Sequence, residues 1–151
     1  MIRKARLADV KVIHRLIAEQ ARGGHILARP LSELYSQVRD FLVIEDDASG
    51  EVLGCGALQV VWEDLAEIRS LAVKEISKGQ GMGTRLSEAL LREAREMGIK
   101  QVFVLTYRVS FFERLGFRQM DKGLLPHKIW ADCIRCTKFP ECDETALVKE
   151  P

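Results

Sequence analysis

A glycine-rich segment, Lys78-Gly79-Gln80-Gly81-Met82-Gly83-Thr84, is the part of the sequence best suited to binding an anion. Three glycines at alternate positions let a ligand approach the backbone closely and let N–H groups turn inward. Apolar residues then recur at helical spacing, so the segment leads into a helix whose first N–H groups lack intrahelical partners. Such amides, with the positive end of the helix dipole, bind phosphate or pyrophosphate. The segment predicts a phosphate-binding turn, with a plain tight turn as the alternative.

Glu67 is a candidate catalytic carboxylate because it lies in an otherwise apolar predicted strand, residues 65–73. Burying a carboxylate is costly unless it is paired, so its presence there needs a reason. With a side-chain period of two, Glu67, Arg69 and Leu71 are predicted to share one face of the strand. The alternatives are a Glu67 that reaches solvent at the strand end and one that Arg69 neutralises.

Three arginines are candidates for holding a substrate carboxylate, because the guanidinium fork donates two parallel hydrogen bonds to that group. Arg29 lies in the connection between two early helices, and Arg69 follows Glu67 on the same strand. Arg108 and Ser110 come just after another strand, and substrates of α/β proteins bind at strand ends. The alternative is that each arginine is an ordinary surface residue.

The C-terminal part of the chain contains the ligand types of a Cys₃His zinc site. The four residues concerned are Cys133, Cys136, Cys142 and His127. Their spacing is loose, since a complete pair of CxxC motifs is missing. We therefore predict no metal, and expect reduced or partly disulfide-bonded structural cysteines.

The elements that position these residues alternate between strands and helices. Strands are predicted at 2–5, 41–46, 51–62, 65–73, 101–107 and from 117, and helices at 10–22, 31–38, 82–97 and 110–115. The strands on either side of the long helix form a βαβ unit, which makes them a parallel pair. Asp9 is predicted to cap the first helix, and Gly54 and Gly56 predict a bulge in their strand.

Together these elements predict one α/β domain over residues 1–151, with a mixed sheet, helices on both faces and an irregular extension at 123–151. The chain has 151 residues, of which 47% are hydrophobic, and a net charge of +1. No basic stripe indicates nucleic-acid binding, and no apolar run is long enough to span a membrane. With four cysteines and no apolar N-terminal segment, a cytoplasmic location is expected.

The glycine segment resembles the acetyl-CoA pyrophosphate loop of the GNAT N-acetyltransferases, Arg/Gln-x-x-Gly-x-Gly/Ala, with Lys78, Gly81 and Gly83 on its fixed positions. Phe111-Phe112-Glu113-Arg114-Leu115-Gly116-Phe117 resembles a second family motif, Phe-Tyr-x-x-x-Gly-Phe. The element order also matches over roughly residues 2–120. The resemblance implies the GNAT fold: a mostly antiparallel sheet with a central splayed pair of parallel strands, which holds the cofactor's pantetheine arm.

In that family, the first splayed strand binds acetyl-CoA through its main chain, which here implicates Leu71, Ala72 and Val73 with the glycine loop. Several members have a general base at the first position of Glu-Ile-x-x-x-Ala-Val, and this chain has Glu67 there. The family's usual acid, the Tyr of the second motif, is replaced by Phe112. Tyr107 and Ser110 are the nearby candidates for that role, and unassisted departure of the thiolate is the alternative.

The wider pattern resembles the acetyltransferase domain of N-acetylglutamate synthase. It is carried by Ile26-Leu27-Ala28-Arg29, Val104-Leu105-Thr106-Tyr107-Arg108 and Leu124-Leu125-Pro126. The resemblance implies L-glutamate as acceptor, a role in arginine biosynthesis and a site formed by Leu27, Arg29, Arg69, Arg108 and Ser110. The chain is expected to lack the arginine-binding kinase-like domain of the long enzymes, so feedback inhibition by arginine is not implied. Family members often form homodimers.

Two other functions are compatible with these residues. The same fold acetylates other acceptors in related enzymes, including small amines and peptide N-termini. A non-catalytic CoA-binding sensor or interaction module is the alternative of another class, because Phe112 removes the usual acid and the tail carries cysteines.

Overall fold

The computed structural model describes residues 1–24, 26–125 and 144–151. The strands are β1 Ile2–Lys4, β2 Phe41–Glu45, β3 Val52–Trp62, β4 Leu65–Val73, β5 Gln101–Thr106, β6 Arg118–Met120 and β7 Thr145–Lys149. The helices are α1 Val10–Arg22, α2 Leu31–Ser36, α3 Met82–Met97 and α4 Val109–Arg114.

The strands form one seven-stranded sheet in the order β1-β2-β3-β4-β5-β7-β6. Strands β4 and β5 are parallel, and the other neighbouring pairs in the described residues are antiparallel. The crossover from β4 to β5 runs through the sixteen-residue helix α3. The predicted mixed sheet with a central parallel pair is therefore confirmed.

The parallel pair separates along its length. Pairing between β4 and β5 ends at Glu67 and Phe103, whereas β4 continues to pair with β3 as far as Val73 and β5 with β7 as far as Thr106. β4 thus stays paired with β3, and β5 with β7, while β4 and β5 separate from each other. The predicted splay is confirmed, and it begins at Glu67.

Apolar clusters cover both faces of the sheet. On one face, α3 and α4 pack on a cluster that includes Leu86, Leu90, Val102, Val104 and Phe112. On the opposite face, α1 and α2 pack on a second cluster, which includes Ile13, Ile17, Leu34, Phe41 and Val43. A smaller third cluster, with Phe103, Leu125, Ala146 and Val148, covers the β5–β7 part of the sheet. Within the described parts of the chain, no helix is long and apolar enough to cross a membrane.

Residues 145–149 correct the prediction that 123–151 is irregular. They form β7, which lies between β5 and β6 in the sheet. Leu147 packs in the cluster under α3, whereas Ala146 and Val148 pack in the cluster beside Phe103. Burial on both faces stabilises this strand. It was not predicted because a strand buried on both faces lacks the alternation of apolar and polar residues, and a short apolar run beside charged residues does not indicate a strand by itself. The strand that follows Phe117 is consequently not the last one, and it pairs with β7 rather than β5.

The bulge predicted in β3 is confirmed beside Gly54: Ile44 pairs with Gly54 and Glu45 with Val52, which leaves Leu53 as an extra residue of β3. A further bulge lies on β4. Cys55 pairs with Ala72 and Ala57 pairs with Arg69, so two residues of β4 oppose Gly56 alone. The extra residue reverses the facing of the side chains that follow it. Leu71 therefore packs on the α3 side, and the prediction that it shares a face with Glu67 and Arg69 was wrong.

Asp9 does not cap α1 through its side chain, contrary to the prediction. Its carboxylate instead accepts hydrogen bonds from both Nη atoms of Arg3, at 2.8 and 3.0 Å, and from the backbone N–H of Arg6, at 2.7 Å. The pKa of Asp9 is lowered, mainly by the hydrogen bonds from Arg3. This ion pair joins β1 to the start of α1.

Candidate active site

The glycine segment forms one wall of a cavity of about 360 Å³ beside the parted ends of β4 and β5. We call it the loop cavity. It is lined by Leu71, Val73, Ser77, Lys78, Gly79, Gly81, Met82, Gly83, Thr84, Arg108, Phe111 and Arg114. All of the predicted cofactor residues line it except Ala72, which packs against α1, and Gln80, which is exposed.

Positive φ angles shape the wall of the loop cavity. Gly79 and Gly81 have φ of +84° and +77°, a backbone region that residues other than glycine rarely adopt. Gly81 directly precedes α3, and its carbonyl accepts the hydrogen bond from the backbone N–H of Arg85 at 3.0 Å. The N–H groups in the first turn of α3 have no intrahelical partners, so the cavity faces a positive helix end.

Two cations of the loop cavity share a partner. The amide oxygen of Gln20 accepts from Lys78 Nζ at 3.3 Å and from Arg108 Nη2 at 3.2 Å. The backbone N–H of Arg108 donates to Thr106 Oγ1 at 2.9 Å, which fixes the chain at the end of β5. Arg108, predicted for an acceptor carboxylate, thus lies with the glycine loop.

A polar face lies on the side of the sheet that carries α1, and it consists of Gln59 of β3 with Glu67 and Arg69 of β4. Glu67 is half-buried and opposes Gln59 on one side and Phe103 on the other. Arg69 is also half-buried, and its Nη1 donates to Gln59 Oε1 at 2.6 Å. The predicted carboxylate therefore stands on a polar patch at the point where the two central strands part.

Arg29 is buried, with 4% of its surface exposed, and its guanidinium is held by side chains from two other segments. Its Nε donates to Glu33 Oε1 at 3.0 Å and its Nη1 to Ser70 Oγ at 3.0 Å, while Nη2 donates to Gln37 Oε1. The Phe41 ring lies 5.5 Å from its Cζ. Burial, together with the charge of Arg69, lowers the pKa of Arg29. The Arg29 guanidinium, which is paired with Glu33, therefore lies close enough to Arg69 for the two positive charges to interact.

Ser70 carries the bulge of β4 in a left-handed conformation, with φ of +57°. This conformation is uncommon for a residue other than glycine, and it places the hydroxyl on Arg29. The backbone oxygen of Ser70 also accepts from Cys55 Sγ at 3.5 Å. Cys55 is fully buried, and burial raises the pKa of its thiol to about 12.

The remaining candidates lie at the ends of these regions. Phe112 is buried in an edge-to-face cluster, with ring centroids 5.0 Å from Phe111 and 5.4 Å from Phe117. Tyr107 is half-buried directly after β5, and Ser110 is exposed in α4. Leu27 is 40% exposed in the connection that leads to Arg29. The four zinc candidates, Cys133, Cys136, Cys142 and His127, lie outside the described residues.

Comparison with known proteins agrees with this geometry. The acetyltransferase (GNAT) domain family matches residues 37–119. An uncharacterised N-acetyltransferase of Chlorobaculum tepidum is 42% identical over 148 residues, which is 98% of this chain and 94% of the relative. An amino-acid acetyltransferase of Mycobacterium tuberculosis is 42% identical over 136 residues, 89% of this chain and 78% of the relative. The chain belongs to the GNAT acetyltransferase family.

A solved GNAT structure shows the same fold with ligands. The N-acetylglutamate synthase of Neisseria gonorrhoeae, complexed with coenzyme A and N-acetyl-glutamate, superposes with a TM-score of 0.89 and 28% identity. The match covers 99% of this chain but 34% of that longer chain. The resemblance predicted from the loop and from the 111–117 motif is confirmed. The protein is an N-acetyltransferase, and acetyl-CoA fits as the cosubstrate.

Gln20 and Ser70 hold other residues of this GNAT site in place, and neither was predicted from the sequence. Gln20 occupies a position of the apolar stripe of α1, three residues after Ile17, and a polar residue in such a stripe is a usable signal. Ser70 gave no such signal, because neither its bulge nor its contact with Arg29 follows from a strand pattern.

Proposed function

We propose that this enzyme, an acetyl-CoA-dependent amino-acid N-acetyltransferase, takes L-glutamate as its acceptor and serves arginine biosynthesis. Glu67, at the point where β4 and β5 part, is the observation on which the proposal rests. An acceptor at that point has the loop cavity on one side and the guanidinium groups of Arg29 and Arg69 on the other. A small acceptor with two carboxylates matches these guanidinium groups.

The chemistry requires a neutral amine, because a protonated amine cannot attack a thioester. Acetyl-CoA supplies the acetyl group as that thioester. In the proposed mechanism the Glu67 carboxylate, directly or through one water, takes the proton from the acceptor amine. The amine nitrogen forms the new bond to the acetyl carbon, and the carbon–sulfur bond breaks. The electron pair leaves with the thiolate sulfur, which Tyr107 is proposed to protonate because Phe112 has no hydroxyl.

The residues divide between the two substrates in this proposal. The glycine loop, Lys78 and the first turn of α3 bind the diphosphate of acetyl-CoA, and the main chain of residues 71–73 binds its pantetheine arm. Arg29 and Arg69 bind the acceptor's side-chain carboxylate, with Leu27 beside them. Ser110 is proposed at the acceptor's α-carboxylate end, as the family resemblance implies, whereas Arg108 shares Gln20 with Lys78 and is assigned to the cofactor side.

A thiol-release assay with acetyl-CoA across the free amino acids tests the acceptor. We expect kcat/KM for L-glutamate to exceed that for L-glutamine by at least about tenfold, because the amide of glutamine forms weaker hydrogen bonds with a guanidinium group than the second carboxylate of glutamate does. Turnover only with other amines or peptide N-termini would replace glutamate by another acceptor. Tight CoA binding without turnover would indicate a non-catalytic CoA-binding module.

A further inference from the structure

Gln20 is a buried polar residue whose three contacts all converge on the loop cavity. Only 3% of its surface is exposed. Its Nε2 donates to the Val73 carbonyl oxygen at 3.2 Å, and its Oε1 accepts from both Lys78 and Arg108. Val73, Lys78 and Arg108 each line the cavity. One side chain of α1 therefore connects the end of β4, the glycine loop and the segment after β5.

Gln20 offsets the electrostatic repulsion between the two cations that it contacts. Lys78 and Arg108 carry like charges, which repel each other when they are brought to one acceptor. A single amide oxygen holds both through its dipole without cancelling either charge. The second partner of Lys78, Glu75 at 2.9 Å, is on the surface with 69% of its side chain exposed, so that pair is weak. The cavity consequently keeps two oriented positive charges.

We propose that Gln20 is the positioning residue of the diphosphate site: it holds Lys78 and Arg108 side by side as a two-charge clamp for the diphosphate of CoA. The inference rests on the proposed assignment of that diphosphate to the loop cavity. It also explains why the residue is an amide. A carboxylate at position 20 would pair with both cations and neutralise the charge that the diphosphate needs, although it would have almost the same shape.

The test compares the Gln20→Glu variant with wild type for two ligands, CoA and pantetheine, which lacks the diphosphate and the nucleotide. We expect the variant to bind CoA at least about tenfold more weakly by calorimetry, because a buried carboxylate opposes the diphosphate charge at short range. Pantetheine binding, measured by ligand-detected NMR, should weaken much less than CoA binding: the lost hydrogen bond to the Val73 carbonyl affects both ligands, whereas only CoA has a diphosphate that the new carboxylate opposes. Gln119→Glu, on the exposed edge strand β6, adds the same charge elsewhere and should change neither affinity.

The outcomes separate this inference from the proposed function. An equal loss of CoA and pantetheine affinity in Gln20→Glu would show a structural role and overturn the inference. Unchanged CoA affinity in that variant, with wild type still preferring CoA to pantetheine, would overturn it while leaving the diphosphate assignment intact. A wild type that binds both ligands equally would remove the assignment and the inference together. Gln20→Met provides a second variant, expected to weaken CoA selectively because both cations lose their shared acceptor.

Discussion

The loop cavity and the polar face beside Arg29 recognise ligands by different means. The cavity presents backbone: two glycines at positive φ, the first turn of α3 and the parted end of β4. The polar face and Arg29 present side chains, and both guanidinium groups are held by other side chains: Arg69 by Gln59, and Arg29 by Ser70, Glu33 and Gln37.

The difference separates a general part of the enzyme from a specific one. The backbone amides and the two cations of the cavity contact only the cofactor in this proposal, so the same loop suits any acceptor. Guanidinium groups held in fixed positions select the acceptor, because a carboxylate accepts two parallel charge-assisted hydrogen bonds from the guanidinium fork and a neutral group does not. Variants of the loop should therefore change acetyl-CoA kinetics, and variants around Arg29 should change acceptor kinetics.

Glu67→Gln tests the residue that lies between these two regions, and it should have the largest effect. We expect kcat at neutral pH to fall by about a hundredfold or more, because the acceptor amine loses its base. The loss should shrink as pH rises, since a growing fraction of the amine is then deprotonated without help. The measurement is kcat against pH at saturating substrates.

Glu63→Gln is the matched control, because Glu63 lies four residues earlier in the exposed turn between β3 and β4. It removes the same charge and should leave kcat unchanged. If Glu67→Gln keeps both the rate and the pH profile of wild type, Glu67 is not the base.

Gly81→Ala tests whether the backbone of the glycine loop binds acetyl-CoA. With φ at +77°, an added Cβ costs about 1–2 kcal/mol, and the loop can relieve that strain by moving its amides. We expect KM for acetyl-CoA to rise about tenfold while KM for the amino-acid acceptor stays constant. Steady-state kinetics with each substrate varied in turn gives both values.

Gly50→Ala controls for strain alone. Gly50 has φ of +73° with open space around its Cα, and it lies in the turn between β2 and β3. It should destabilise the protein to a similar extent without changing either KM. A rise in the acceptor KM of Gly81→Ala equal to that for acetyl-CoA would mean that the two regions are not separate.

The loop cavity and the surroundings of Arg29 also differ in how well the sequence predicted them. The loop cavity was predictable because its geometry is local: alternating glycines followed by a helix determine where the amides point. Half of its lining residues belong to that one segment. Gln20 contacts three lining residues of the cavity, but it comes from α1, more than fifty residues before the loop, and it was not predicted.

The surroundings of Arg29 were less predictable because they depend on long-range contacts. Arg29 itself was a candidate, but its burial depends on Phe41 and Gln37, and its orientation depends on Ser70. The bulge at Ser70 also invalidated the alternation that placed Leu71 beside Glu67. Strand β7 was missed for a related reason, since its two-sided burial becomes visible only when β5 and β6 are in place.

Ser70→Ala tests whether acceptor binding depends on the Ser70 hydroxyl, which the left-handed backbone of Ser70 directs at Arg29. Removing the hydroxyl leaves Arg29 Nη1 without its acceptor on β4, so we expect KM for glutamate to rise by roughly three- to tenfold. KM for acetyl-CoA should be unchanged.

Ser70→Gly lacks the same hydroxyl but tolerates φ of +57° without strain. It should show the same rise in the glutamate KM and be about 1 kcal/mol more stable than Ser70→Ala in urea unfolding. A normal glutamate KM in both variants would remove the role of the Ser70 hydroxyl, and equal stability would remove the strain argument.

Asp9→Asn should have the smallest effect on function, because the Arg3–Asp9 pair lies outside both regions. We expect a loss of about 1–2 kcal/mol in the free energy of unfolding at pH 7, since a partly buried carboxylate loses charge-assisted hydrogen bonds from Arg3. Neither KM should change. The folded-state pKa of Asp9 is lowered, so its contribution is fully present above the ordinary pKa of about 3.9 and is lost as pH falls through the lowered value.

Urea unfolding of wild type and Asp9→Asn from pH 7 downward measures that dependence, and the difference between them should narrow at acid pH. Asp47→Asn is the control: Asp47 pairs with the N-terminus but its side chain is 86% exposed, so its removal should cost nothing measurable. A gap between wild type and Asp9→Asn that stays constant down to low pH would assign the effect to packing rather than to charge. A change in either KM would show that the Arg3–Asp9 pair at the start of α1 affects Gln20 in the same helix. Structural and ligand-binding side chains of α1 would then not be independent of each other.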